Sequence, residues 1–231
     1  MLTSPWVVRL RGITRQLGLN RWIAMRLSGG GYEDRFGPAL QAEVRPGETV
    51  WDLGANLGLY TQAFASAVGE HGKVVAFEPT PDCFAALQER FTDDPRIQMM
   101  NVAVGASDGE LHMSLDENPL APTHRILAGT ASKQGRTLAV PVRSAESVVA
   151  EQPACFPNLI KIDVEGHEGA VMDGMQALLP DSRLRCIGIE VHFGLLEARG
   201  EGHRPKQLEQ TLTEHGFKVR WTDPSHMLAL R

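Results

Sequence analysis

Several short stretches of this sequence combine residue types that hold or activate a small molecule. Asp52-Leu53-Gly54-Ala55-Asn56-Leu57-Gly58 follows an apolar run and precedes a helix-periodic one. Gly54 and Gly58 permit a tight turn with a ligand pressed against bare backbone, and the helix start beyond them offers amide donors. In a dinucleotide fingerprint the middle position is a glycine that lets a pyrophosphate approach. Here it is Asn56, and the loop opens on a carboxylate. Asp52 repels phosphate and suits an ammonium, which favours S-adenosylmethionine, a ligand with an amino-acid end and no phosphate. Further on, Phe77-Glu78-Pro79 sets an acidic side chain 26 residues beyond Asp52, where a strand-end carboxylate accepts from both ribose hydroxyls. Asn101-Val102-Ala103-Val104 follows a third apolar run, and Ala103 is small enough to flank an adenine.

Lys161-Ile162-Asp163-Val164-Glu165-Gly166-His167-Glu168 carries the second half of the chemistry. Asp163 and Glu165 are two apart and share one face if the strand persists through them. Carboxylates leaving an apolar strand are costly unless bonded, which makes them site candidates. Glu168 complements a helix start. A fifth run ends Ile189-Glu190-Val191-His192. Methyl transfer from a sulfonium is an in-line displacement that asks the protein to align a nucleophile and take its proton. His192 is the preferred base because imidazole titrates near neutrality, and His167 is second. Asp163, Glu165 and Glu190 offer oxygen ligands but form no tight metal motif, so neither Mg²⁺ nor another metal is expected.

These stretches need elements to position them. Thr49–Leu53, Lys73–Phe77, Ile97–Asn101, Asn158–Asp163 and Arg185–Val191 read as buried strands; Leu57–Val68, Pro81–Phe91, Glu168–Leu179 and residues 204–215 read as helices. Short apolar runs alternating with helices describe a parallel sheet covered on both faces. Leu111–Leu115 and Leu138–Arg143 suggest an inserted β-hairpin, and Phe217–Thr222 with His226–Leu230 a closing one. Residues 116–136, with Pro119, Pro122, Gly129 and Gly135, read as a mobile loop. Ligands of such sheets bind where strand order reverses, at the carboxyl ends.

Composition fits a soluble, cytoplasmic, single-domain protein. The 231 residues are 42% hydrophobic and 22% charged, which excludes a disordered or disulfide-held chain. Cys83, Cys155 and Cys186 suit a reducing compartment and give no zinc spacing. No apolar stretch is long enough to span a membrane, and a net charge of −5 argues against a nucleic-acid partner. Residues 1–28 hold five arginines and no acidic residue. The spacing of Trp6, Leu10, Ile13 and Leu17 makes residues 1–45 a helical arm that packs an apolar stripe on the domain, with a basic lid or a membrane-surface contact as the alternatives. Residues 46–231 form the catalytic domain.

The motifs together resemble the FkbM family of S-adenosylmethionine-dependent methyltransferases. The likeness rests on Val50–Tyr60, Ala76–Pro81, Asn101–Gly105 and Leu159–Glu168, and runs from about Pro46 to Glu190. It implies a class I methyltransferase (Rossmann-like) α/β fold, with a seven-stranded, mostly parallel sheet ordered 3-2-1-4-5-7-6. It also implies O-methylation of a sugar, glycan or natural-product hydroxyl. By position, Asp52, Gly54, Asn56, Gly58 and Glu78 would hold the cofactor, with Asp163 near the methyl group. Where the family usually has Leu-Asp before the helix leading to strand four, this chain has Ala145-Glu146. A nicotinamide-dependent oxidoreductase and a non-catalytic S-adenosylmethionine-binding module are the alternatives.

Overall fold

The computed structural model describes residues 35–114, 125–126 and 137–231. Most of the expected arm, and the loop at 116–136 apart from Arg125–Ile126, lie outside them. The main sheet contains β1 (Thr49–Leu53), β2 (Lys73–Phe77), β3 (Ile97–Met100), β8 (Leu159–Ile162), β9 (Cys186–Glu190), β10 (Lys218–Asp223) and β11 (His226–Leu230). Across the sheet they run β3-β2-β1-β8-β9-β11-β10. Numbered on their own, these seven strands give 3-2-1-4-5-7-6, the order the resemblance implied. Only β11 runs against its neighbours.

The central strands are buried on both sides, so consecutive residues feed two cores. Trp51, Leu53, Val75, Phe77, Ile160, Ile162, Ile187 and Ile189 face one way. They pack against α4 (Ala145–Glu151), α5 (Glu168–Asp173), α6 (Phe193–Ala198) and α7 (Arg204–Glu214). The fully buried Trp51 ring lies 4.9 Å from that of Phe77, and its Nε1 donates to the Cys155 carbonyl at 2.7 Å. Val50, Val74, Ala76, Leu159 and Leu228 face α1 (Phe36–Gln41), α2 (Leu59–Val68) and α3 (Pro81–Phe91).

Three local expectations change. The segment before Pro46 contributes core: Phe36 and Leu40 of α1 lie so close to Gly188 that a Cβ there would stand 2.8 Å from Leu40. The helix expected over Glu168–Leu179 stops at Asp173, and its C-cap Gly174 presses against Gly105, whose carbonyl oxygen a Cβ would meet at 1.9 Å. Glu146 secures the turns that follow by accepting the Ala177 amide at 2.8 Å. The inserted hairpin is a four-stranded sheet: β5 (Gly109–Ser114) pairs antiparallel with β7 (Thr137–Arg143), flanked by β4 (Ala103–Val104) and β6 (Arg125–Ile126). No described helix is long and apolar enough to cross a membrane.

Candidate functional site

Strand order reverses between β1 and β8, and the chemistry-bearing loops meet at the carboxyl ends of β1, β2, β8 and β9. Gly54 has φ +76°, and a Cβ on it would lie 1.9 Å from the Asp163 carbonyl oxygen, so the loops after β1 and β8 touch backbone to backbone only because that position is glycine. Gly58 has φ +77° and packs on α3, where a Cβ would come within 2.4 Å of Phe91. Asn56 is also left-handed, at φ +51°, a conformation asparagine tolerates better than most residues. Its amide donates to Glu78 Oε2 at 2.8 Å. The other Glu78 oxygen accepts from the Thr80 amide at 2.9 Å and the Thr80 hydroxyl at 2.6 Å. Glu78 therefore ties the turn after β2 to the glycine loop. Asn101 braces the same corner by donating to the carbonyls of Glu78 and Pro79 at 2.8 and 3.1 Å.

Asp52 is placed differently from the expectation. It is fully buried, and its register partner across the sheet is Lys161. Lys161 Nζ lies 3.0 Å from Asp52 Oδ1, while Thr61 donates its hydroxyl to Oδ2 at 2.7 Å. The ammonium that satisfies Asp52 is the protein's own. The same Nζ reaches the Gly54 carbonyl at 3.1 Å and Asp163 Oδ2 at 3.4 Å, and sits 4.9 Å from the Tyr60 ring centre. Burial opposes its charge, but Asp52 and Asp163 outweigh that and hold Lys161 above the ordinary lysine range. An acidic residue at 52 and a lysine at 161 were both visible; their pairing needed the register of two strands distant in sequence.

Ala103 lies in the apolar cluster of the small sheet with Met113, Val140 and Val142. It stands there because β4 joins β7 rather than prolonging β3.

The acidic residues after β8 and β9 converge. β8 ends at Ile162, so Asp163 and Glu165 are not brought together by strand alternation as expected. A turn through Glu165, at φ +49°, swings its carboxylate back instead. His192 Nε2 lies 3.4 Å from Glu165 Oε2 and 3.8 Å from both Asp163 Oδ1 and Glu190 Oε1. Its Nδ1 bonds the buried Glu168 at 2.6 Å. The Glu190 Oε2 atom is 3.4 Å from His226 Nε2, whose ring pairs with Asp223 at 2.7 Å and stacks on Phe36. Glu168 and His226 were missing from the expected site: one read as a helix-start charge and the other as an edge-strand residue.

This environment alters the expected roles. Burial works against a charged His192, but the Glu168 bond and the carboxylates of Glu165, Glu168 and Glu190 raise its pKa to about 10. These carboxylates favour the protonated imidazole in the free protein, whereas a histidine base acts from its neutral ring. Burial lifts Glu165 to about 7; the His192 charge opposes this, and Asp163, Glu190 and Glu168 add to it. His167 stands apart as the residue before α5, its ring against Gly105, and burial followed by the Arg199 charge lowers its pKa. Phe193 and Trp221 form a partly exposed aromatic pair beside His192, 40% and 37% accessible, with ring centres 5.8 Å apart.

Comparison with known proteins gives these arrangements a context. A family model described as the methyltransferase FkbM domain matches residues 52–219. The hexuronic acid methyltransferase AglP of Haloferax volcanii is 28% identical over 178 residues, which is 76% of this chain and 65% of AglP. The chain thus spans just under two thirds of that relative's length. The 31-O-demethyl-FK506 methyltransferase FkbM of Streptomyces tacrolimicus is 30% identical over 205 residues, 77% of this chain and 75% of that protein. In three dimensions the chain is similar to the methyltransferase FkbM from Methylobacillus flagellatus KT. The TM-score is 0.53 at 16% identity, covering 96% of this chain and 60% of the other. At that identity the likeness bears on the fold.

Proposed function

The chain belongs to the methyltransferase FkbM family, and on that premise we propose that it methylates a hydroxyl oxygen of a sugar, glycan or small natural product, with S-adenosylmethionine as donor. The observation that carries this reading is the pairing of Glu78 and Asp163 with the Gly54–Gly58 turn at the reversal of strand order. Glu78 bonds the turn directly, and the Asp163 backbone abuts Gly54. These carboxylates suit ribose hydroxyls and a positive sulfur. When bound, the donor supplies an activated methyl group on a sulfonium.

The chain's own residues then have distinct tasks. Gly54, Asn56 and Gly58 form the bed, and Glu78 accepts from the ribose. The Asp52–Lys161 pair stiffens the floor from beneath, taking over from the ammonium contact that the sequence suggested for Asp52. Asp163 borders the methyl-transfer region, where an acceptor oxygen must be aligned and lose its proton to the carboxylate rim. His192 orients that rim through its Nδ1 contact with Glu168; His167 acts outside it as a packing residue. Phe193 and Trp221 give the C–H face of a sugar ring an apolar platform. The relatives AglP and FkbM, named for a hexuronic acid and for 31-O-demethyl-FK506, support an oxygen acceptor.

The test is a mass-spectrometric screen of uronic acids, glycosides and polyketide alcohols, each with the protein and S-adenosylmethionine. A gain of about 14 Da (one CH₂) on at least one hydroxylated acceptor is expected. Binding of the donor with no product across the whole panel would favour a non-catalytic module.

A further inference from the structure

We infer that the ends of β8 and β9 form a divalent-cation site, with Asp163, Glu165 and His192 as ligands and an ion of the Mg²⁺ or Mn²⁺ class as occupant. The inference rests on the proposed methyl transfer for the ion's use, but not for its binding. One oxygen from each carboxylate and one imidazole nitrogen lie within 4.8 Å of one another. Ligand atoms about 2.1 Å from an ion stand roughly 3–4 Å apart, so small side-chain movements close the set. The nitrogen concerned is His192 Nε2, which faces both carboxylates. Its Nδ1 is held by Glu168 at 2.6 Å, the outer carboxylate–histidine contact that orients metal-bound imidazoles.

A second observation points the same way. Glu168 is fully buried, and among the described residues its Oε2 atom has no hydrogen-bond partner. A buried carboxylate oxygen left in that state is costly unless a positive charge stands nearby. At this cluster the carboxylates outnumber the cationic groups. Asp163, Glu165, Glu168 and Glu190 surround the His192 ring, while Lys161 is shared between Asp52 and Asp163 and His226 between Glu190 and Asp223. Two carboxylates with one imidazole favour a hard, oxygen-seeking ion. Such an ion keeps coordination positions open, and an acceptor hydroxyl entering one becomes more acidic. The sequence concealed the set because His192 lies 27 residues beyond Glu165.

The experiment is Mn²⁺ titration of EDTA-treated, dialysed full-length protein, followed by electron paramagnetic resonance of the free ion, without donor or acceptor. One bound Mn²⁺ per chain is expected, weakened at least tenfold in Glu165→Gln and in Asp163→Asn and unchanged in the remote Asp181→Asn. If Asp163→Asn fails to fold, Glu165→Gln decides alone, since its residue lies in a turn outside the sheet. Absence of binding at millimolar Mn²⁺, or equal binding by wild type and Glu165→Gln, overturns the inference. S-adenosylhomocysteine binding, measured in parallel, separates the two readings. If it persists where Mn²⁺ binding fails, the donor site stands without the cation; the converse leaves the cation site without the methyl-transfer reading.

Discussion

Lys161→Met tests whether the floor of the site is held by an internal ion pair. The substitution keeps the length and apolar stem of the side chain and removes only the ammonium. Asp52, fully buried, then retains the Thr61 hydroxyl and loses its charged partner at 3.0 Å. Breaking a buried pair from one side costs about 3–5 kcal/mol, because the other charge is left uncompensated. For a domain of this size that corresponds to roughly 6–20 °C in Tm. Lys161 is held above the ordinary lysine range, so its contribution is fully present below that range and is lost only as pH climbs through the raised value. The deficit should therefore be constant, on the lysine's account, between about pH 6 and 9. Urea denaturation of wild type, Lys161→Met and Asp52→Asn/Lys161→Met would measure it. The double variant is expected to lose less than the single one, since both partners are neutralised together. A single-variant loss below about 1 kcal/mol, the range of an exposed pair, would refute the internal pairing and return Asp52 to the ligand.

Phe193→Ala, with Trp221→Ala beside it, should raise KM for the acceptor about 2–12-fold with little change in kcat, as expected when only binding contact is removed; initial-rate kinetics check this, and a fall in kcat at constant KM would count against the platform. His226 is raised above the ordinary imidazole pKa: burial opposes this, and Glu190 and Asp223 outweigh it. Its pairing therefore stabilises fully below about pH 6.5 and fades as pH rises through the raised value. His226→Asn should accordingly lose more stability at pH 5.5 than at pH 9.5 in urea melts, and an equal loss at both would show that stacking on Phe36 is its whole contribution.

Much of the fold was legible because the central strands are buried on both faces and therefore apolar throughout. Lys73–Phe77 and Pro81–Phe91 carry the expected limits unchanged, the latter with its proline at the helix start. Elements stabilised by distant partners were harder to read. The α1 helix depends on Gly188, and β4 is a two-residue strand that exists only through β7. The same division runs through the candidate site. The glycine loop and Glu78 are local signals, set by a turn next to a strand. Asp52 with Lys161, and His192 with Glu168, are cross-element pairs 109 and 24 residues apart, and their charge states follow from neighbours that spacing does not reveal.

The central claim is that the crevice over Gly54–Gly58 and Glu78 receives a methyl donor rather than a dinucleotide. Isothermal titration with S-adenosylhomocysteine and with NAD⁺, on wild type and Glu78→Ala, addresses it directly. One S-adenosylhomocysteine per chain is expected, with no heat from NAD⁺ and affinity reduced roughly 10–150-fold in Glu78→Ala, the worth of a hydrogen bond to a charged group. Binding of NAD⁺ in place of S-adenosylhomocysteine, or undiminished affinity without the Glu78 carboxylate, would contradict it.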